Sequence, residues 1–217
     1  TKRINFVPDQ FMGKSEGYKK YDIFFHEFAH AIDYFYGNHK YFSKNSKIRS
    51  ALFNDYENLR DSITLKESIA ATQRLLGETK FSELYMDKTN QKSKILLSLN
   101  SRKLTLARDE LGNFTSDQIE IMKDIKLMEI VRKGKNVNWV TQMNVSDIIN
   151  GVNKGEINPG YGHTTEYWTK YKMQAVEFFA ETTSAMINNP ESLLQIKKMF
   201  PNAYKEYLKV VEDIANG

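Results

Sequence analysis

Residues 26–30 read His-Glu-Phe-Ala-His, inside an aromatic-rich run over 18–36 that closes on Gly37-Asn38. Gly-Asn is a common stop for a helix, so the run is expected to be helical. On a helix, residues four apart stand one turn above each other. At about 100° per residue, His30 lies about 40° round from His26, and both imidazoles can reach one ion. Glu27 falls about 100° away, beside that ion, where it can take a proton from a metal-activated water. Phe24, Phe28, Ala31 and Phe35 fall on the other side. The expectation is therefore a helix with an apolar back and one polar stripe: His26, His30 and Asp33. Burying such a stripe is costly unless something satisfies it, and a metal does so. The plainer alternative is a pair of histidines at accidental spacing, since the motif fixes only three positions.

A tetrahedral zinc held by two histidines needs one more protein ligand. The chain has no cysteine and four histidines (His26, His30, His39 and His163), so only His, Asp and Glu are available. The metzincin extension would place Gly three residues and His six residues after His30; Asp33 and Tyr36 stand there instead. A distant carboxylate is the other route. The stretch 175–181, Ala-Val-Glu-Phe-Phe-Ala-Glu, offers Glu177 and Glu181. Two carboxylates inside an apolar helix need a reason, yet an exposed acidic pair four apart explains the pattern equally well. Asp33, one turn past His30, is placed either to orient a ligand imidazole or to make a hydrogen bond at the helix end.

The rest of the chain sets the frame. Its 217 residues suit one domain carrying a large insertion, with a sizeable core. Apolar residues make up 41% and charged residues 27%, the balance of a globular protein. A net charge of +4 is too small an excess to imply nucleic acid. The clusters Lys92-Ser93-Lys94, Arg102-Lys103 and Arg132-Lys133-Gly134-Lys135 lack interleaved aromatics and read as solvated faces. No apolar run approaches the roughly 18 residues of a membrane span, and no signal-peptide pattern stands out. The opening at Thr1 on strand-like sequence fits a piece of a longer protein.

Residues 2–7 read as a strand ended by Pro8. A charged helical pattern runs over 43–100, with a capping box at Thr64 and Glu67. A second box, Thr115 with Gln118, starts a helix that ends near Gly134. Ser146 is expected to cap a short helix through Ile149, and the glycine-rich 151–162 reads as a loop. One helix is expected over 165–187. Asn189-Pro190 opens the next, and Phe200-Pro201 ends it and opens the last. The fold class that results is α+β and predominantly helical, with a small N-terminal sheet. It is one domain over 1–217, with 54–144 a helical insertion.

Two sets of stretches carry family resemblances. HEFAHAIDYFYG at 26–37, together with VEFFAE at 176–181, resembles the catalytic domain of anthrax lethal factor and its relatives, metallopeptidases of the gluzincin kind. YGHTTEYW at 161–168 and NNPESLLQIKKMFPNAY at 188–204 resemble the zincin-like domains of phage minor head, or head-morphogenesis, proteins. Together these cover the first 50 or so residues and those after about 145; the middle resembles neither. The lethal-factor resemblance implies a zincin-like fold, a bound Zn2+ and a third ligand from the first Glu of the run, Glu177. Glu181 then stands behind the ligands. It also implies an endopeptidase acting on a protein or peptide, with Glu27 as general base. That family places its oxyanion Tyr in a Tyr-Gly-Arg run shortly before the third ligand. Tyr161-Gly162-His163 is similar, but begins sixteen residues before Glu177, farther than the family places it. Tyr161 is the implied donor, with His163 second. Tyr171 would point about 120° away from Glu177 on a continuous helix. The phage resemblance implies the alternative: a non-catalytic or weakly active structural domain with virion assembly partners, in the virion or the host cytoplasm. A toxin-like protein would instead be secreted and have toxin assembly partners.

Overall fold

The computed structural model describes residues 20–76, 116–132, 139–157, 159 and 161–217. In chain order these form α1 (Asp22–Tyr36), a 3-10 turn (Ser43–Asn45), α2 (Ile48–Asp61), α3 (Leu65–Leu76) and α4 (Ser116–Arg132). They continue with α5 (Trp139–Val152), α6 (Thr165–Lys170), α7 (Gln174–Asn188), α8 (Pro190–Met199) and α9 (Pro201–Asn216). Among the described residues every element is helical and none is a strand. The α+β expectation, with its small sheet, is therefore corrected to an all-helical arrangement; mainly helical holds. The physical reason is the period of the core. Buried apolar residues recur three and four apart, as Ile121, Ile125 and Met128 do, and no described stretch alternates with period two. The strand expected over 2–7, Thr115 of the second capping box and the basic residues at 92–94, 102–103 and 133–135 lie outside the described residues.

The centre of the molecule is α7, whose residues from Gln174 to Ala185 are all buried. A helix buried all round needs neighbours on every side. It packs against α1, α5 and α8, while α2 pairs with α9 and α3 with α4. Contacts run antiparallel between α1 and α7. The Ser184 hydroxyl donates to the Asp22 carbonyl at 3.0 Å, His26 faces Glu181 and His30 faces Glu177. One hydrophobic cluster spans the layers and includes Ala29, Leu52, Ile125, Ile149, Phe178 and Phe200. Each large side chain buried there contributes roughly 1.5–3 kcal/mol. Tyr56, Ile63, Ile121 and Leu127, all within 54–144, belong to the same cluster.

Local signals set several of the boundaries. Thr64 and Glu67 form the reciprocal box: Thr64 N donates to Glu67 Oε2 at 3.0 Å, and Glu67 N to Thr64 Oγ1 at 3.2 Å. Asn189 caps α8 by accepting from Ser192 N at 3.3 Å, with Pro190 as first helical residue. Asp55 on α2 accepts from Ala203 N at 2.8 Å and so satisfies a first-turn donor of α9.

Two expectations of local structure are corrected. The single helix over 165–187 is broken: Lys172 takes φ 53°, separating α6 from α7. The Gln174 side chain donates to the Trp168 carbonyl at 3.0 Å, satisfying a group the break leaves free. Ser146 caps nothing; it lies inside α5, its hydroxyl donating to the Tyr161 carbonyl at 2.7 Å and accepting from Tyr161 N at 2.9 Å. The aromatic back of α1 faces outward in part, Phe28 being 43% and Phe35 62% exposed. The buried residues of α1 are Asp22, Ala29 and Asp33. The helix is turned with its polar stripe inward. No described helix is long and apolar enough to cross a membrane.

Candidate metal centre

The antiparallel contact of α1 with α7 brings three ligand atoms together. His26 Nε2 and His30 Nε2 lie 3.0 Å apart, and each is 3.3 Å from Glu177 Oε2. A tetrahedral zinc with bonds of about 2.0–2.1 Å sets its ligands about 3.3–3.4 Å apart. The observed triangle fits that spacing within a few tenths of an ångström. Glu177 Oε2 is also buried and accepts no aligned hydrogen bond, although both imidazoles are close. An orphaned carboxylate oxygen in such a place is costly, and a cation satisfies all three atoms. Two imidazoles and a carboxylate, with no thiolate, form a donor set that suits zinc. The residues present therefore fit the metal the sequence implies.

The surrounding groups hold these three side chains. His26 Nδ1 lies 3.3 Å from Glu181 Oε1, and Glu181 Oε2 accepts a short hydrogen bond from Asn144 Nδ2 on α5. Glu181 thus stands behind His26 as an orienting carboxylate. Burial works against a charge on His26, but the Glu181 and Glu177 carboxylates outweigh it and hold the imidazole well above its ordinary range. Burial likewise pushes Glu177 up, but His26 and His30 hold it well below the usual carboxylate range. The Tyr167 hydroxyl donates a short hydrogen bond to Glu177 Oε1. Burial and the Glu177 charge push that phenol up. On α5, Asp147 is pushed well up, first by burial and then by the Glu177 and Glu181 charges. Asp33 makes the hydrogen bond at the helix end, accepting from Ser43 N at 2.7 Å and Ser43 Oγ at 2.6 Å. It pins the turn that follows α1.

Glu27 is half-buried on α1, next to His26. His39 is exposed beyond the helix at φ 67°, its ring against Tyr34. Tyr161 is held through its backbone by Ser146, and its ring centre lies 6.1 Å from that of His163. Tyr171 is 49% exposed in the break after α6, so the continuous helix on which its direction was reckoned does not exist. Sequence reasoning missed Tyr167, Asn144, Asp147 and Asn150. The last three recur three residues apart, which places them on one face of α5, and that spacing was the available signal. Asn150 clamps the loop that follows. Its Oδ1 accepts from His163 N at 2.9 Å and from Trp168 Nε1 at 2.7 Å, and its Nδ2 donates to the Ile157 carbonyl at 2.8 Å. Gly162 permits this close approach, since a Cβ there would lie 2.2 Å from Asn150 Cγ. No family model, curated protein or solved structure matches the chain.

Proposed function

We propose that this chain is a zinc-dependent endopeptidase, with His26, His30 and Glu177 as metal ligands and Glu27 as general base. The observation that carries the reading is the 3.0–3.3 Å triangle of His26 Nε2, His30 Nε2 and Glu177 Oε2, with Glu27 next to His26 on the same helix. Zinc, when bound, supplies Lewis acidity, acidifying a water and polarising the scissile carbonyl. Glu27 accepts the water's proton on a carboxylate oxygen and passes it to the departing amine. Glu181, itself held by Asn144, fixes the ring of His26 through Nδ1. Tyr167 fixes Glu177 through Oε1. Tyr161 is the phenol that the resemblance assigns to the oxyanion, a contribution of about 3 kcal/mol in such enzymes. Ser146 holds its backbone in place.

The test is Glu27→Gln, which keeps the shape of the side chain and removes its ability to take a proton. Zinc content and thermal unfolding should be unchanged, while cleavage across a peptide library falls by roughly 10² to 10⁴. A wild type that holds zinc yet cleaves nothing across a broad library returns the site to the reading of a structural virion domain.

A further inference from the structure

We propose that Asp147, His163 and Glu177 form a second divalent-cation site, which shares Glu177 with the His26–His30 centre and makes this a carboxylate-bridged pair of metal sites. The proposal rests on the zinc reading of the first centre and adds an ion that neither the motif nor the resemblances imply.

The strongest observation is Asp147. Its side chain is fully buried on α5, and neither carboxylate oxygen has a hydrogen-bond partner. Buried carboxylates are ordinarily met by N–H groups, by a cationic side chain or by a metal. Among the described residues no N–H group donates to Asp147 and no lysine or arginine pairs with it; the ionisable nitrogen within ion-pair reach is His163 Nε2, 3.7 Å from Oδ1. Ligand atoms of Asp147, His163 and Glu177 all lie within 4.8 Å of one another.

His163 is fixed by its backbone and by the packing of its ring. Its backbone N–H is fixed by Asn150. Its ring stacks on Tyr167 at 4.2 Å between centres and meets the edge of Trp168 at 5.2 Å. The same Tyr167 donates to Glu177, so one phenol braces a ligand of each site.

Charge points the same way. Asp147, Glu177 and Glu181 are 0%, 2% and 6% exposed, and among the described residues their ion-pair partners are imidazoles alone. A second dication at Asp147 would hold that carboxylate ionised and would balance the three together with Glu27. The second triangle is wider than the first, so its ion should bind more weakly and leave first on dialysis. Two carboxylates and an imidazole suit a first-row divalent ion with further positions left to water.

The test is zinc stoichiometry of the whole chain after equilibrium dialysis at neutral pH, with unfolding curves recorded for each variant. Wild type should hold two equivalents. Asp147→Asn, which keeps the size of the buried side chain, should hold one, as should His163→Gln at a half-buried position if the first variant fails to fold. His30→Ala should lose the tighter equivalent, and Glu177→Ala both. A wild type with one equivalent, or folded Asp147→Asn and His163→Gln variants still holding two, overturns the second site and leaves the first standing. A wild type with none overturns both.

Discussion

Glu129 on α4 and Glu177 on α7 both keep their charge below the ordinary carboxylate range, and they do so with different partners. Glu129 is held down to about 2 by hydrogen bonds from Arg74, at 2.6 and 2.9 Å, and by Lys126 at 2.8 Å. Those cations are permanent and partly exposed, and Arg74 joins α3 to α4. Glu177 lies at the meeting of α1, α5 and α7; its ion-pair partners are the imidazoles of His26 and His30, with the Tyr167 hydroxyl on its other oxygen. Imidazoles give up a proton at ordinary pH and then bind metal. The α3–α4 contact is thus electrostatically complete by itself, whereas the α1–α7 contact is complete only with an exchangeable cation, a proton or a metal. A carboxylate paired with arginine holds helices together; one paired with histidines is available for chemistry.

The sharpest break of that contrast is the loss of zinc. Glu177→Ala should abolish stoichiometric zinc binding, while Glu181→Ala should weaken it by the roughly 10–100-fold typical of an orienting partner. Glu129→Ala should leave it unchanged. Competition against a chromogenic chelator measures all three, and equal effects at Glu177 and Glu181 would remove the distinction between ligand and support. Next in size is Gly162→Ala. Its added carbon meets Asn150, so it should destabilise the fold by about 1–3 kcal/mol in urea unfolding. A change within error would mean that the clamp on His163 is loose. The smallest effect belongs to α3–α4. Arg74→Ala should change stability only slightly at neutral pH, as expected of a solvent-screened surface pair. Because Glu129 is lowered in the folded state, its contribution is present above its unfolded value of about 4.3 and is lost as pH falls toward 2. Arg74→Ala should therefore lose less stability than wild type on acidification through that window. Identical acid slopes would show that the pair does not hold Glu129 down.

What the sequence revealed follows from the range of each interaction. The pairing of His26 with His30 depends on one helical turn, so spacing alone places both on one face. Glu177 could not be separated from an exposed acidic residue by pattern. Only packing shows the whole stretch from Gln174 to Ala185 buried; within the sequence, the resemblance alone singles out Glu177. Thr64 with Glu67 was legible because a capping box is local. The break at Lys172 was not, since a lysine at positive φ carries no signal in its side chain. The inward turn of the ionisable face of α1 agrees with the stripe the sequence picks out, while the exposure of Phe28 and Phe35 on its back is set by packing alone. Tyr167 meets Glu177 ten residues away with no local pattern to announce it, and the spacing of Asp147 with Asn144 and Asn150 shows a shared face but not the contact with His163.

The most direct measurement is an anomalous difference map at the zinc absorption edge, from crystals grown with zinc. A peak about 2.0–2.1 Å from His26 Nε2, His30 Nε2 and Glu177 Oε2 together is the expected result. No peak among these three atoms, or a zinc held only by other residues, would contradict the metal centre on which the proposed chemistry stands.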